Sequence, residues 1–67
     1  MSLKKRSFTL SGHRTSIALE AEFWTVIDAN AAREQISLAA LVAKIDATRG
    51  ARPLASALRL YALAARQ

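Results

Sequence analysis

From His13 to Phe23 the chain reads His-Arg-Thr-Ser-Ile-Ala-Leu-Glu-Ala-Glu-Phe, a short alternating segment that runs into a helical pattern with almost no loop between. Thr15, Ile17 and Leu19 fall on one side of an extended backbone and Arg14, Ser16 and Ala18 on the other, the period of two expected of a strand with one buried face. This strand, residues 14–19, cannot stand alone, because unpaired backbone donors and acceptors are costly and even a lone hairpin is marginal in water. It needs a partner strand, and a second copy of the chain is the obvious candidate.

Size sharpens that requirement. The 67 residues make one domain, 1–67, and a chain this short buries only about 60% of its unfolded surface, so it needs disulfides, a metal or self-association. With no cysteine and one histidine, the first two routes are closed and association remains. A hydrophobic fraction of 52%, much of it alanine and leucine at helical spacing, is more than one small monomer is expected to hide. No apolar run reaches the roughly 20 residues of a membrane span, and the basic N-terminus lacks a following apolar block and cleavage site. A cytoplasmic, nucleoid-associated protein is the expectation.

The net charge of +5 is unevenly placed: the four bases Lys4, Lys5, Arg6 and Arg14 stand in the first fourteen residues with no acid among them. All five acids lie in the middle, and Arg52, Arg59 and Arg66 follow. Basic ends around a mildly acidic centre favour a polyanionic partner, nucleic acid before membrane, through phosphate neutralisation and counterion release. A solvated basic terminus that serves solubility is the plainer reading of the same charges.

Residues 1–13 read as a basic arm with a possible extra strand over 6–10 that folds back on residues 14–19, because Phe8 and Leu10 alternate with Ser7 and Thr9 before the turn signal Ser11-Gly12-His13. A first helix is expected over 20–35, where Phe23, Val26, Ile27 and Ala31 form a stripe; Trp24 belongs at its edge or under the N-terminal segment, as a packing residue rather than a base-stacking one. Ser37 is a good N-cap for a second helix over 37–49, with Leu38, Leu41, Val42 and Ile45 as its apolar stripe and Arg49-Gly50 at its end. Pro53 opens a third over 53–66, where Leu54, Leu58, Tyr61 and Ala65 make a line that Leu60 and Leu63 widen. A face that wide predicts packing against the second helix or another subunit. The fold class is therefore α+β, mostly α.

Catalysis finds little support, since a single imidazole in a predicted turn and the absence of thiols remove the usual nucleophile and base pairings. No cofactor or metal is called for. His13 is either a solvated turn residue or a phosphate contact beside Arg14. A two-stranded ribbon, by contrast, fits the major groove of B-DNA as a helix does. If two copies pair 14–19 antiparallel, Ile17 and Leu19 cover the helices, and Arg14, Ser16 and Ala18 project outward to read bases. Arginine can grip guanine O6 and N7, serine can donate or accept, and alanine can touch a thymine methyl. Ser37 and the free amides of Leu38 and Ala39 could hold a phosphate.

The order of basic arm, alternating strand 14–19, amphipathic helix, the turn Gln35-Ile36-Ser37-Leu38-Ala39-Ala40-Leu41 and a second helix resembles the ribbon-helix-helix family of bacterial transcription factors. The stretches Lys5-Arg6-Ser7-Phe8-Thr9-Leu10-Ser11-Gly12-His13-Arg14-Thr15-Ser16 and Ser37-Leu38-Ala39-Ala40-Leu41-Val42 are similar to a small proteobacterial subgroup of it. The resemblance spans nearly the whole chain and implies an intertwined homodimer whose ribbon takes one strand from each subunit. It implies base reading by Arg14, Ser16 and Ala18, a phosphate clamp at Ser37 and Leu38, and a regulator of transcription, a repressor, on (pseudo)palindromic double-stranded DNA, with dimers pairing on adjacent half-sites a further possibility. Lys4, Lys5, Arg6 and His13 are the further phosphate candidates. Where the family commonly has glycine between its helices, this chain has Gln35, so the turn is expected to close by another backbone route.

Two other readings compete. The third helix could capture a protein partner, as in an antitoxin, or lie on a membrane surface through Arg59, Arg66 and its leucines, a weaker match because it offers only three bases and one aromatic.

Overall fold

The structure, a computed structural model, describes residues 2–66. Two strands and three helices follow in chain order: β1 (Leu3–Leu10), β2 (His13–Glu20), α1 (Ala21–Glu34), α2 (Leu38–Thr48) and α3 (Leu54–Ala65). The mostly helical α+β class, the extra N-terminal strand and the third helix are all present.

β1 and β2 pair antiparallel over their full length, from Leu3↔Glu20 at the open end to Leu10↔His13 at the turn. The extra strand expected to fold back on residues 14–19 is thus present, and it pairs with one edge of β2. The connection is two residues, Ser11 at φ 51° and Gly12 at φ 80°. Consecutive positive φ angles are those of a type I′ turn, whose twist matches the flanking strands.

β1 begins three residues before the alternation of apolar side chains does. The inward positions there hold Lys4 and Arg6 instead of hydrophobes, so hydropathy alone reads them as an arm. Arg6 nevertheless packs: its guanidinium carbon lies 4.8 Å from the centre of the Trp24 ring, and its Nη1 donates to Asp28 Oδ1 at 2.9 Å.

Trp24 is the centre of the buried stripe of α1, with Ile27 and Ala31, while Phe23 and Val26 are half-buried at its flanks. Trp24 thus lies under the N-terminal segment, one of its two expected placements, and Phe23 and Val26 are displaced from the centre of the stripe because the hairpin lies over α1 along the Trp24 line. The indole Nε1–H donates to the Lys4 carbonyl at 2.7 Å, and the Phe8 ring sits 6.1 Å away, centre to centre. The indole is thus desolvated without losing a hydrogen bond.

α1 ends at Gln35, which adopts φ 59° and ψ 39°. Its N–H donates to the Ala32 carbonyl at 3.1 Å, and that of Ile36 to the Ala31 carbonyl at 3.0 Å. These two bonds make a Schellman motif, so the turn closes by the route glycine would take. The expected alternative backbone path is not used; glutamine accepts the left-handed conformation at a cost of about 1 kcal/mol. Two residues later the Ser37 hydroxyl accepts the Ala40 N–H at 3.0 Å and caps α2.

α2 buries Leu41, Val42 and Ile45, and α3 buries Leu58 and Ala62. α3 packs across α1, α2 and β2 of its own chain. Tyr61 on α3 accepts from Asn30 Nδ2 at 2.6 Å, tying it to α1. Among the described residues, twelve buried side chains form one core. Among the described residues, the large hydrophobics left exposed are Leu3, Leu60 and Leu63. A single chain thus covers most of the apolar surface that composition assigned to association.

Candidate nucleic-acid interface

The hairpin has two chemically different faces. Inward, Phe8, Leu10, Ile17 and Leu19 are buried against the helices. Outward, Lys5, Ser7 and Thr9 of β1 and Arg14 and Ser16 of β2 are exposed, with Ala18 half-exposed beside them. The register sets Thr9 opposite Arg14, Ser7 opposite Ser16 and Lys5 opposite Ala18. Side chains facing one another in this way lie about 5 Å apart. The central pair touches, Ser7 Oγ to Ser16 Oγ at 3.1 Å.

The predicted base-reading residues Arg14, Ser16 and Ala18 thus stand together on the outward face, and Lys5 joins them from β1. Lys4, Arg6 and His13 alternate onto the other side, with Phe8 and Leu10 or with Thr15 and Ile17. Arg6 is occupied by Asp28 and Trp24, and His13 is exposed in the pair that closes the turn. Ser37 and Leu38 lie on a separate element, at the N-terminus of α2, which packs on β1. There the Ser37 hydroxyl serves the Ala40 amide, and the amides of Leu38 and Ala39 precede the first intrahelical bond, made by Leu41 to the Ser37 carbonyl at 3.0 Å. Ser7 and Thr9, the polar side of the extra strand, stand on this face as well. Their alternation with Phe8 and Leu10 is the signal that places them outward.

Electrostatics favour an anion on this face. The one acid of the hairpin, Glu20, accepts from Arg59 Nε on α3 at 3.1 Å. Its own backbone N–H first, and the Arg59 guanidinium second, hold its carboxyl below the usual carboxylate value. Asp28, Glu34 and Asp46 are paired with Arg6, Lys44 and Arg49. Among the described residues, no carboxylate pairs with Lys4, Lys5 or Arg14. The hairpin keeps its positive charge available while its carboxylate is neutralised from behind.

Among the described residues there is no cluster of three or more histidine, aspartate or glutamate side chains placed to hold a metal ion, and no helix long and apolar enough to cross a membrane. No curated protein and no solved structure matches the chain significantly. A family profile for the ribbon-helix-helix domain matches residues 3–65, from the first residue of β1 to the last of α3. On this match the chain belongs to the ribbon-helix-helix domain family, a non-enzymatic DNA-binding fold whose members are generally transcription regulators or antitoxins and typically form dimers.

Proposed function

We propose that this protein is a sequence-specific regulator of transcription, a repressor, that as a homodimer inserts a two-stranded antiparallel ribbon, the outward face of β2 from each copy, into the major groove of double-stranded DNA. The observation that carries the reading is the sorting of the hairpin into an apolar face filled by the protein's own core and a polar face bearing Arg14, Ser16, Ala18 and Lys5 with no uncompensated acid. Arg14 is the residue for a guanine, Ser16 for a donor or acceptor at either base, and Ala18 for a thymine methyl. Lys4, Lys5 and the α2 amides beside Ser37 and Leu38 supply phosphate contacts, which fix register and carry no sequence information. A homodimer on a (pseudo)palindromic site follows from the family's habit of pairing, in a bacterial cytoplasm.

A salt-titrated gel shift tests the reading, with the protein's own upstream region against random DNA of equal length. The expected result is a preference of about 10³-fold or more for the upstream DNA, steep weakening with salt, and loss of that preference in Arg14→Ala without a change in the thermal melt. Unchanged affinity in Arg14→Ala refutes it.

A second reading rests on α3, where Leu60 and Leu63 are each 45% exposed on adjacent turns. They give the family's antitoxin role a surface for a protein partner. Leu60→Ser together with Leu63→Ser would then abolish partner capture and leave DNA binding intact; an unchanged pull-down removes this reading.

A further inference from the structure

β1 lies along one edge of β2, and among the described residues no strand lies along the other. In an antiparallel ladder closed by a two-residue turn, the flanking pair, here Leu10↔His13, exchanges backbone hydrogen bonds, and every second pair after it does the same. The N–H and C=O groups of Arg14, Ser16 and Ala18 therefore point to the open edge, where a second copy joins to complete the ribbon. Two hairpins joined in this way make a four-stranded sheet, with the β2 strands in the middle and a β1 strand on each side. We infer, on the homodimeric ribbon proposed above, that β1 is a phosphate-binding flank. While the β2 pair reads bases, Lys5, Ser7 and Thr9 of each copy rest on the sugar-phosphate wall at either side of the groove.

Three observations carry it. The first is width. Strands lie about 4.8 Å apart, so the two central strands fit a major groove about 12 Å wide, whereas the outer two have axes roughly 14 Å apart and cannot enter it. β1 is left over the rims, where the phosphates are. The register keeps its outward row level with the reading row: Lys5 opposite Ala18, Ser7 opposite Ser16 and Thr9 opposite Arg14.

The second is chemistry. Lys5, Ser7 and Thr9 are all exposed and all carry a hydrogen-bond donor, the side-chain types that proteins set against phosphate oxygens. No acid interrupts the row, and among the described residues no carboxylate pairs with Lys5. A phosphate approaching β1 meets donors and no opposing charge.

The third is support from beneath. Phe8 and Leu10, which alternate with this row, are 7% exposed, and Trp24 holds the Lys4 carbonyl at 2.7 Å. The flank is therefore fixed by the core and not free to swing away from the groove. Arg6, between Lys5 and Ser7 in the chain, is turned the other way onto Trp24 and Asp28, so Lys5 is the base that β1 keeps on the outward face.

The test uses the full chain and a pool of randomised duplexes. Sequences enriched by the wild type are taken to fluorescence anisotropy across a range of salt, with random duplex and every single-base variant, for wild type, Lys5→Ala, Lys5→Arg, Thr9→Ala and Arg14→Ala. All three substituted positions are exposed, and unchanged thermal melts are expected. Lys5→Ala is expected to weaken selected, mismatched and random duplexes by one common factor and to lower the salt slope by about 2, one cation from each copy. Lys5→Arg keeps the charge and is to keep the slope, which separates loss of the cation from loss of fold. Thr9→Ala is to weaken all duplexes alike, by roughly 10-fold, with the slope unchanged. Arg14→Ala instead relaxes particular base positions.

If Lys5→Ala and Thr9→Ala bind like wild type while Arg14→Ala loses specificity, the phosphate flank is overturned and the DNA-reading role stands. If either β1 variant relaxes particular base positions, the flank is overturned too, because β1 then lies inside the groove. If the pool yields no preferred sequence, or Arg14→Ala also binds unchanged, the DNA-reading role itself fails and takes the flank with it.

Discussion

Replacing Trp24 by phenylalanine should weaken this fold more than a substitution between two aromatics ordinarily would. The indole is 2% exposed, its Nε1–H donates to the Lys4 carbonyl at 2.7 Å, and its ring lies against Phe8 and under the Arg6 guanidinium. Phenylalanine keeps the ring contacts in part, loses the hydrogen bond, and leaves the volume of the missing ring unfilled. The bond accounts for about 1 kcal/mol net and the lost buried surface for about 1–2 kcal/mol. Together, about 2–3 kcal/mol is a large share of the roughly 3–10 kcal/mol expected of a 67-residue chain. In a domain of this size it lowers Tm by about 10–20 °C. Urea titration followed by far-UV circular dichroism suits the measurement, since the variant has lost its only tryptophan. Hydrogen exchange adds a local readout: β1 amides are to lose protection before those of α2. A loss below about 0.5 kcal/mol would refute the claim that the indole anchors the hairpin to α1.

Gln35→Gly removes a left-handed strain of about 1 kcal/mol at the end of α1, offset by about 0.5 kcal/mol of chain entropy, so a small rise in the urea midpoint is expected. Ser37→Ala deletes the cap of α2 and should cost about 1 kcal/mol in the same titration, with Ser37→Asp restoring it. Glu20 has a lowered pKa in the folded protein, so its contribution is fully present above its ordinary value of 4.5 and fades as pH falls through the folded value. Urea midpoints measured across acid pH should therefore fall more steeply for wild type than for Glu20→Gln.

Much of this architecture is legible in the residues because local signals agree. Ser37, Pro53 and the Arg49-Gly50 pair mark where helices start and stop, and Phe8 and Leu10 announce a strand. What failed to show has identifiable causes. Arg6 occupies an inward position of β1 by laying its long side chain against Trp24 and Asp28 of α1, and Lys4 gives its backbone carbonyl to Trp24; hydropathy counts both as polar. Periodicity within α1 centres its stripe on Phe23, Val26 and Ile27, whereas burial is decided by the hairpin lying across Trp24, the placement under the N-terminal segment. Gln35 takes a conformation that composition assigns to glycine, which only the backbone reveals. For the interface, the outward face of β2 could be read from its alternation, and the turn signal Ser11-Gly12-His13 after Phe8 and Leu10 announced a strand that folds back on it. A strand has two edges, and its residues do not say what lies along the second.

The two-residue turn at Ser11-Gly12 also bears on how the protein is made. Strands joined by so short a link meet in microseconds and by a first-order process, so the sheet forms at a rate independent of how many copies the cell contains. A ribbon assembled from two chains has to wait for a collision, and comes apart whenever the chains separate. This hairpin lets a newly synthesised molecule complete its own sheet and core before it meets any other.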